Sequence, residues 1–188
     1  MSTTNTEIPT LSGDARIPAY VARPEGAPRG AIIVHQEVFG VNRGIRKKTD
    51  DWAAKGYLAV APDAFWRQQP DLDLDADNPE EFKVAIDFMM KHDFDQGIRD
   101  MEAVIHWIRR EQGVAKVGFV GFCMGGRVAY AMATRTDIDA SVGYYGVMTA
   151  YAHLTGQSVP PAIGTGFTVI DASNVDDEAI QKFIYSGE

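Results

Sequence analysis

The chain has 188 residues, 45% of them hydrophobic and 23% charged, with a formal net charge of −8 and one cysteine. That length suits a single domain, 1–188, with a sizeable core, and the acidic balance excludes nucleic-acid backbones as expected partners. No apolar run reaches the ~18 residues of a membrane span, the polar start Met1-Ser2-Thr3-Thr4-Asn5-Thr6-Glu7 lacks a secretory pattern, and a lone thiol fits a reducing cytoplasm.

In chain order, short apolar runs alternate with longer amphipathic stretches. This is the pattern of an α/β domain with a mostly parallel sheet flanked by helices. Ala19-Tyr20-Val21-Ala22-Arg23-Pro24 reads as an early edge strand stopped by proline. Ala31-Ile32-Ile33-Val34-His35 is nearly continuous in apolar residues, as in a buried parallel strand. A helix over 44–55 follows, closed by Gly56 as a capping residue, and Tyr57-Leu58-Ala59-Val60-Ala61 is the next strand. The acidic, aperiodic stretch 71–79 predicts a surface loop leading to a helix over 80–91. Ile98, Met101, Val104, Ile105 and Ile108 recur at helical spacing and predict a helix over 95–110. A strand at 117–121, a helix at 125–133 and a strand at 141–145 complete the regular part. Beyond Gly146, glycine and proline crowd the chain; 167–170 reads as a further strand and 176–184 as a short final helix.

The segment Gly121-Phe122-Cys123-Met124-Gly125-Gly126 joins a strand to a helix. It has the form of a nucleophile elbow with cysteine in the serine position. A sharp strand-to-helix turn pushes the nucleophile out at the strand end, and small residues on either side let backbone pass close by. The Met124 N–H then lies at a helix N-terminus, where it can stabilise an oxyanion. The same dipole predicts a thiol pKa below the free value of about 8.5. A buried structural thiol in a tight turn is the competing reading of Cys123.

These residues, followed by Arg127 and Tyr144-Tyr145-Gly146, resemble the dienelactone hydrolase family of α/β-hydrolase folds. So do His35-Gln36-Glu37-Val38-Phe39-Gly40-Val41-Asn42 and Tyr57-Leu58-Ala59-Val60-Ala61-Pro62-Asp63. The three motifs occur in family order between about residue 15 and about residue 150. The resemblance implies a hydrolase of carboxylic ester or lactone bonds that needs no cofactor and no metal. It implies Cys123 as nucleophile and Glu37 beside it, controlling its ionisation. Physically, a carboxylate next to a thiol can accept its proton or raise its pKa by repulsion. The backbone N–H groups of Met124 and Val38 would hold the oxyanion, and Tyr144 would line the pocket. Arg127 and Arg67 are possible anion contacts, though structural roles suit both.

Two departures from the family stand out. Its prototype grips the substrate carboxylate with an arginine roughly where Glu80, Glu81 and Phe82 stand, and an acidic pair there would repel dienelactone. The family's triad acid is matched by Asp171, with a loop or capping aspartate as the alternative. Tyr185-Ser186-Gly187 resembles the residues just before the family histidine, so the resemblance implies an incomplete C-terminal strand and helix. None of His35, His92, His106 and His153 matches that histidine, and their spacing suggests no metal set.

Three functions therefore compete: a cysteine-dependent ester or lactone hydrolase acting on a small molecule, a truncated or divergent relative with a pocket but little turnover, and an elbow-cysteine protein of the amidotransferase or DJ-1-like kind. Many catalytic members of the last class place histidine directly after the cysteine, where this chain has Met124. The oligomeric state is left open by the sequence.

Overall fold

The computed structural model describes residues 1–144 and the backbone of 168–170. Its seven strands are β1 (Ser2–Pro9), β2 (Arg16–Arg23), β3 (Ala31–His35), β4 (Leu58–Pro62), β5 (Val117–Phe122), β6 (Ala140–Tyr144) and β7 (Thr168–Ile170). They form one sheet in the order β1-β2-β4-β3-β5-β6-β7. The central four, β4-β3-β5-β6, are parallel, while β1, β2 and β7 pair antiparallel on the flanks. The sheet is thus mixed, with its parallel part at the centre where the motifs lie.

The four helices are α1 (Arg43–Ala54), α2 (Pro79–Lys91), α3 (Phe94–Glu111) and α4 (Met124–Arg135). Strand alternation sends Ile33 and Phe119 to one face, where they join residues of α3 and α4 in the main core. Val34 and Val120 face the other way and pack with Ile45 of α1. β4 is buried at every position, because helices cover both faces of the parallel centre.

Three of the four helices start where a polar side chain satisfies an open N–H group; α4, capped by Cys123, has no such side-chain bond. Asn42 accepts from Ile45 N at 3.1 Å, Asn78 from Glu80 N at 3.1 Å, and Asp93 from Gln96 N at 2.9 Å. Helix α1 closes with Lys55 as cap and Gly56 at φ +90°. All five apolar residues that predicted α3 are buried.

The N-terminal edge corrects the sequence reading. β2 is not an edge strand, since β1 pairs with it along its full length, from Ser2 opposite Arg23 to Pro9 opposite Arg16. β1 buries only Ile8, so its polar sequence carried no strand periodicity; it is held through its backbone. The predicted strand over 167–170 is present as β7, paired with β6. The predicted final helix over 176–184 lies outside the described residues.

Candidate active site

The register of the parallel strands assembles the site. His35 of β3 stands opposite Gly121 of β5, and Phe122 of β5 stands opposite Tyr144 of β6. Glu37 lies two residues past His35 and Cys123 two residues past Gly121, so both leave the sheet at the same level. The carboxyl ends of parallel strands are where open α/β sheets hold ligands.

Cys123 is the N-cap of α4, with φ +56° and ψ −113°. Among the described residues, only it and Asp71 combine a side chain with a positive φ. Such a conformation costs about 1–3 kcal/mol and persists only where the surroundings impose it. Two glycines impose it here. A Cβ on Gly121 would lie 1.8 Å from the Gly125 carbonyl oxygen, and one on Gly125 would lie 2.9 Å from His35 Nδ1. The turn is closed by Gly126 N donating to the Cys123 carbonyl at 2.9 Å.

The thiol is half-buried, and burial pushes its pKa up from the ordinary value. The Met124 N–H opposes this, and the Glu37 carboxylate adds to the rise. This overturns the expectation of a depressed pKa: the helix N-terminus acts as foreseen, but desolvation and a neighbouring negative charge outweigh it. Of the two effects weighed for a carboxylate beside the thiol, repulsion is the one found.

The loop carrying Glu37 is anchored on both sides. Val38 is buried, Phe39 O accepts from Leu74 N at 3.0 Å, and Gly40 pairs with Asp73 in an isolated bridge. Gly40 has φ +84°, and a Cβ there would sit 1.7 Å from Leu72 O, so only glycine fits.

The other expected residues distribute as follows. Arg127 is exposed, with its guanidinium 4.2 Å from the centroid of the Phe94 ring. Arg67 is bound twice by the buried Asp100, at 2.9 and 3.0 Å, and Trp66 Nε1 donates to the same carboxylate at 2.9 Å. Its role is to bolt the loop after β4 onto α3. Glu80 pairs with Lys83, and Glu81 accepts from Asp75 N and Asn78 Nδ2 at the start of α2. Phe82, exposed, stands 6.0 Å from the ring of Phe39. The Tyr144 backbone ends β6 beside Phe122. The side chain of Tyr144 and all of Asp171 and His153 lie outside the described residues.

Three buried polar groups escaped the sequence reading. His35 is 1% exposed, and burial pulls its pKa down to about 4, so it is a neutral imidazole. Gln36 is fully buried, with Oε1 accepting from Ala64 N at 3.0 Å. Asp63 accepts from Phe65 N and Asp71 N, and burial pushes its pKa up to about 6. Their placement at the last residue of β3 or the first residue after β3 and β4 was the available signal. His92 stands edge-on to Phe65, its pKa lowered by burial. Among the described histidines, none hydrogen-bonds to Cys123.

The sheet order, the flanking helices and the strained elbow define an α/β hydrolase fold. The alignable part of the chain superimposes with a TM-score of 0.51 on XC6422 of Xanthomonas campestris, described as an α/β serine hydrolase without lid; identity is 15%, over 74% of this chain and 59% of that one. The chain belongs to the dienelactone hydrolase family, which it matches over residues 17–181. It is 34% identical over 142 residues to carboxymethylenebutenolidase 1 of Cupriavidus pinatubonensis, covering 75% of this chain and 60% of that one. It is 38% identical over 130 residues to the carboxymethylenebutenolidase of Pseudomonas putida, covering 69% and 55%. A protein of Klebsiella pneumoniae assigned as a dienelactone hydrolase superimposes with a TM-score of 0.61 at 34% identity, over 72% of this chain and 55% of that one. The chain thus spans somewhat over half the length of the relatives it matches. No helix among the described residues is long and apolar enough to cross a membrane.

Proposed function

We propose that this protein hydrolyses a carboxylic ester or lactone bond of a small molecule, with Cys123 as nucleophile. The observation that carries the reading is the elbow: a cysteine held at positive φ between a strand and a helix, with a carboxylate acting on its thiol. Membership of the dienelactone hydrolase family supports the same chemistry and weighs against the amidotransferase or DJ-1-like alternative. The lone thiol must stay reduced to work, which fits action in the cytoplasm.

The Cys123 sulfur attacks the ester carbonyl carbon, an S–C bond forms as the acyl C–O bond breaks, and the proton given up by the thiol ends on the departing alcohol. The N–H groups of Met124 and Val38 are suited to hold the oxyanion. Water then cleaves the thioester, giving the acid and the free thiol. Burial first, and the Glu37 carboxylate in addition, favour a protonated resting thiol. Asp171 is the candidate acid of the triad and Tyr144 a pocket wall. Arg127 could contact a substrate anion only by leaving the Phe94 face.

A second reading, a relative with a pocket but little turnover, is favoured by the absence of a histidine bonded to Cys123 among the described residues. One experiment separates the two. With p-nitrophenyl acetate, the 188-residue chain should release a burst near one equivalent and carry acetyl on Cys123 by mass spectrometry. Where no positioned base activates water, the following phase should be slower by about 10²–10⁴-fold than in a complete triad. Sustained fast turnover that depends on Cys123 would defeat the second reading. A Cys123 that is acylated only after unfolding would defeat both.

A further inference from the structure

The peptide joining Gln36 to Glu37 is gripped from two sides. His35 Nδ1 lies 3.0 Å from the Gln36 carbonyl oxygen. A carbonyl only accepts, so Nδ1 carries the proton and donates. The same oxygen lies 3.1 Å from the point a Cβ on Gly125 would occupy, so the first turn of α4 presses on that peptide from the other side. The imidazole itself packs against Phe119 of β5, with ring centroids 5.5 Å apart. Gln36 is in turn tied to the β4 end through Ala64 N. The orientation of this peptide fixes where the chain at Glu37 points, and α4 begins with Cys123 as its cap.

We infer that His35 is a positioning residue: by donating to the Gln36 carbonyl, it holds the Glu37 carboxylate toward Cys123. It touches neither substrate nor the reacting atoms. A side chain without a donor would free the peptide to turn, and Glu37 would move off the thiol. The inference rests on the reading of Cys123 and Glu37 as the working pair.

The test is the apparent thiol pKa, from iodoacetamide alkylation rates against pH on the full chain, with folding checked by circular dichroism. Glu37→Gln removes the charge and should lower the thiol pKa. His35→Phe keeps a ring against Phe119 but has no donor, and should lower it too. A fall of about half a unit corresponds to about threefold more thiolate at neutral pH. His35→Asn can still donate from its amide and should stay near the parent. In the Glu37→Gln background, His35→Phe should add nothing. If His35→Phe does not fold, His35→Met removes the donor while filling similar space. An unchanged thiol pKa in His35→Phe, or a shift that survives in full without Glu37, overturns the inference. If Glu37→Gln itself leaves the thiol unmoved, the pairing of Cys123 with Glu37 falls instead.

Discussion

The elbow between β5 and α4 and the helix α2 are built on opposite terms. At the elbow, backbone lies against backbone: the Gly125 carbonyl fills the space where Gly121 would carry a Cβ, and the chain at His35 and Gln36 fills the space beside Gly125. In α2 only Ala85 is buried, while Phe82, Val84 and Met90 are exposed at 47%, 44% and 76%. The helix rests on ring contacts, Phe82 with Phe39 and Phe88 with Phe65, and on one bond from Gln68 Nε2 to the Phe88 carbonyl. A nucleophile needs a fixed direction, and main-chain atoms fix it because they have no alternative rotamers. Side chains with room to rearrange set contact surfaces, and those can change without moving the nucleophile.

The sharpest way to break this contrast is a single methyl group. Gly121→Ala puts a Cβ 1.8 Å from the Gly125 carbonyl oxygen, an overlap that only backbone movement relieves. Urea unfolding should show a loss of about 3 kcal/mol or more, and the acylation burst should vanish with the elbow geometry. Parent-like stability would mean that the turn is soft and the contrast false.

Acid separates the same regions by sign. His35 has a folded pKa of about 4 against an ordinary 6.5, so its contribution is full above pH 6.5 and is lost as pH falls toward 4. Asp63, in the loop leading to α2, has a folded pKa of about 6 against an ordinary 3.8. Its contribution is full below pH 3.8 and is lost as pH rises through 6. Each amounts to about 3 kcal/mol at most, and between pH 4 and 6 they oppose one another. His35→Phe removes the first alone. Between pH 7 and pH 4 the variant should gain about 3 kcal/mol relative to the parent, as read from unfolding midpoints at both pH values. Parallel curves for the two proteins would show that His35 is not held neutral.

The smallest effect belongs to α2. Met90→Gln, at a position 76% exposed, should change stability by no more than about 0.5 kcal/mol and leave the burst intact. A loss above about 1 kcal/mol would mean that this face is covered and that α2 is not the loosely held element.

Much of the scaffold was legible because burial leaves a periodic trace. The apolar runs read as β3 and β4 are buried except at Ile32 and Tyr57, which are partly buried, and the five spaced residues of α3 are all buried as read. The end of α1 was legible because Gly56 marks it; its Asn42 cap was not read from the sequence. β1 was not legible: its pairing uses backbone groups that every residue carries, and its side chains are mostly in water. The direction of the thiol shift was not legible either. The sequence shows the N–H that lowers the pKa, whereas the burial that raises it is a property of packing.

The sequence by itself determined the elements and the elbow. An apolar strand, a short glycine-flanked turn and an amphipathic helix can join in few ways, and residue 123 is where such a turn presents its side chain. Tertiary structure alone decided what that side chain meets. The register of β3 against β5 sets His35 opposite Gly121 and brings Glu37 level with Cys123, although 85 residues separate those two in the chain. Register is fixed by contacts between distant strands, and so are the burial and the neighbouring charge that set the ionisation of the thiol.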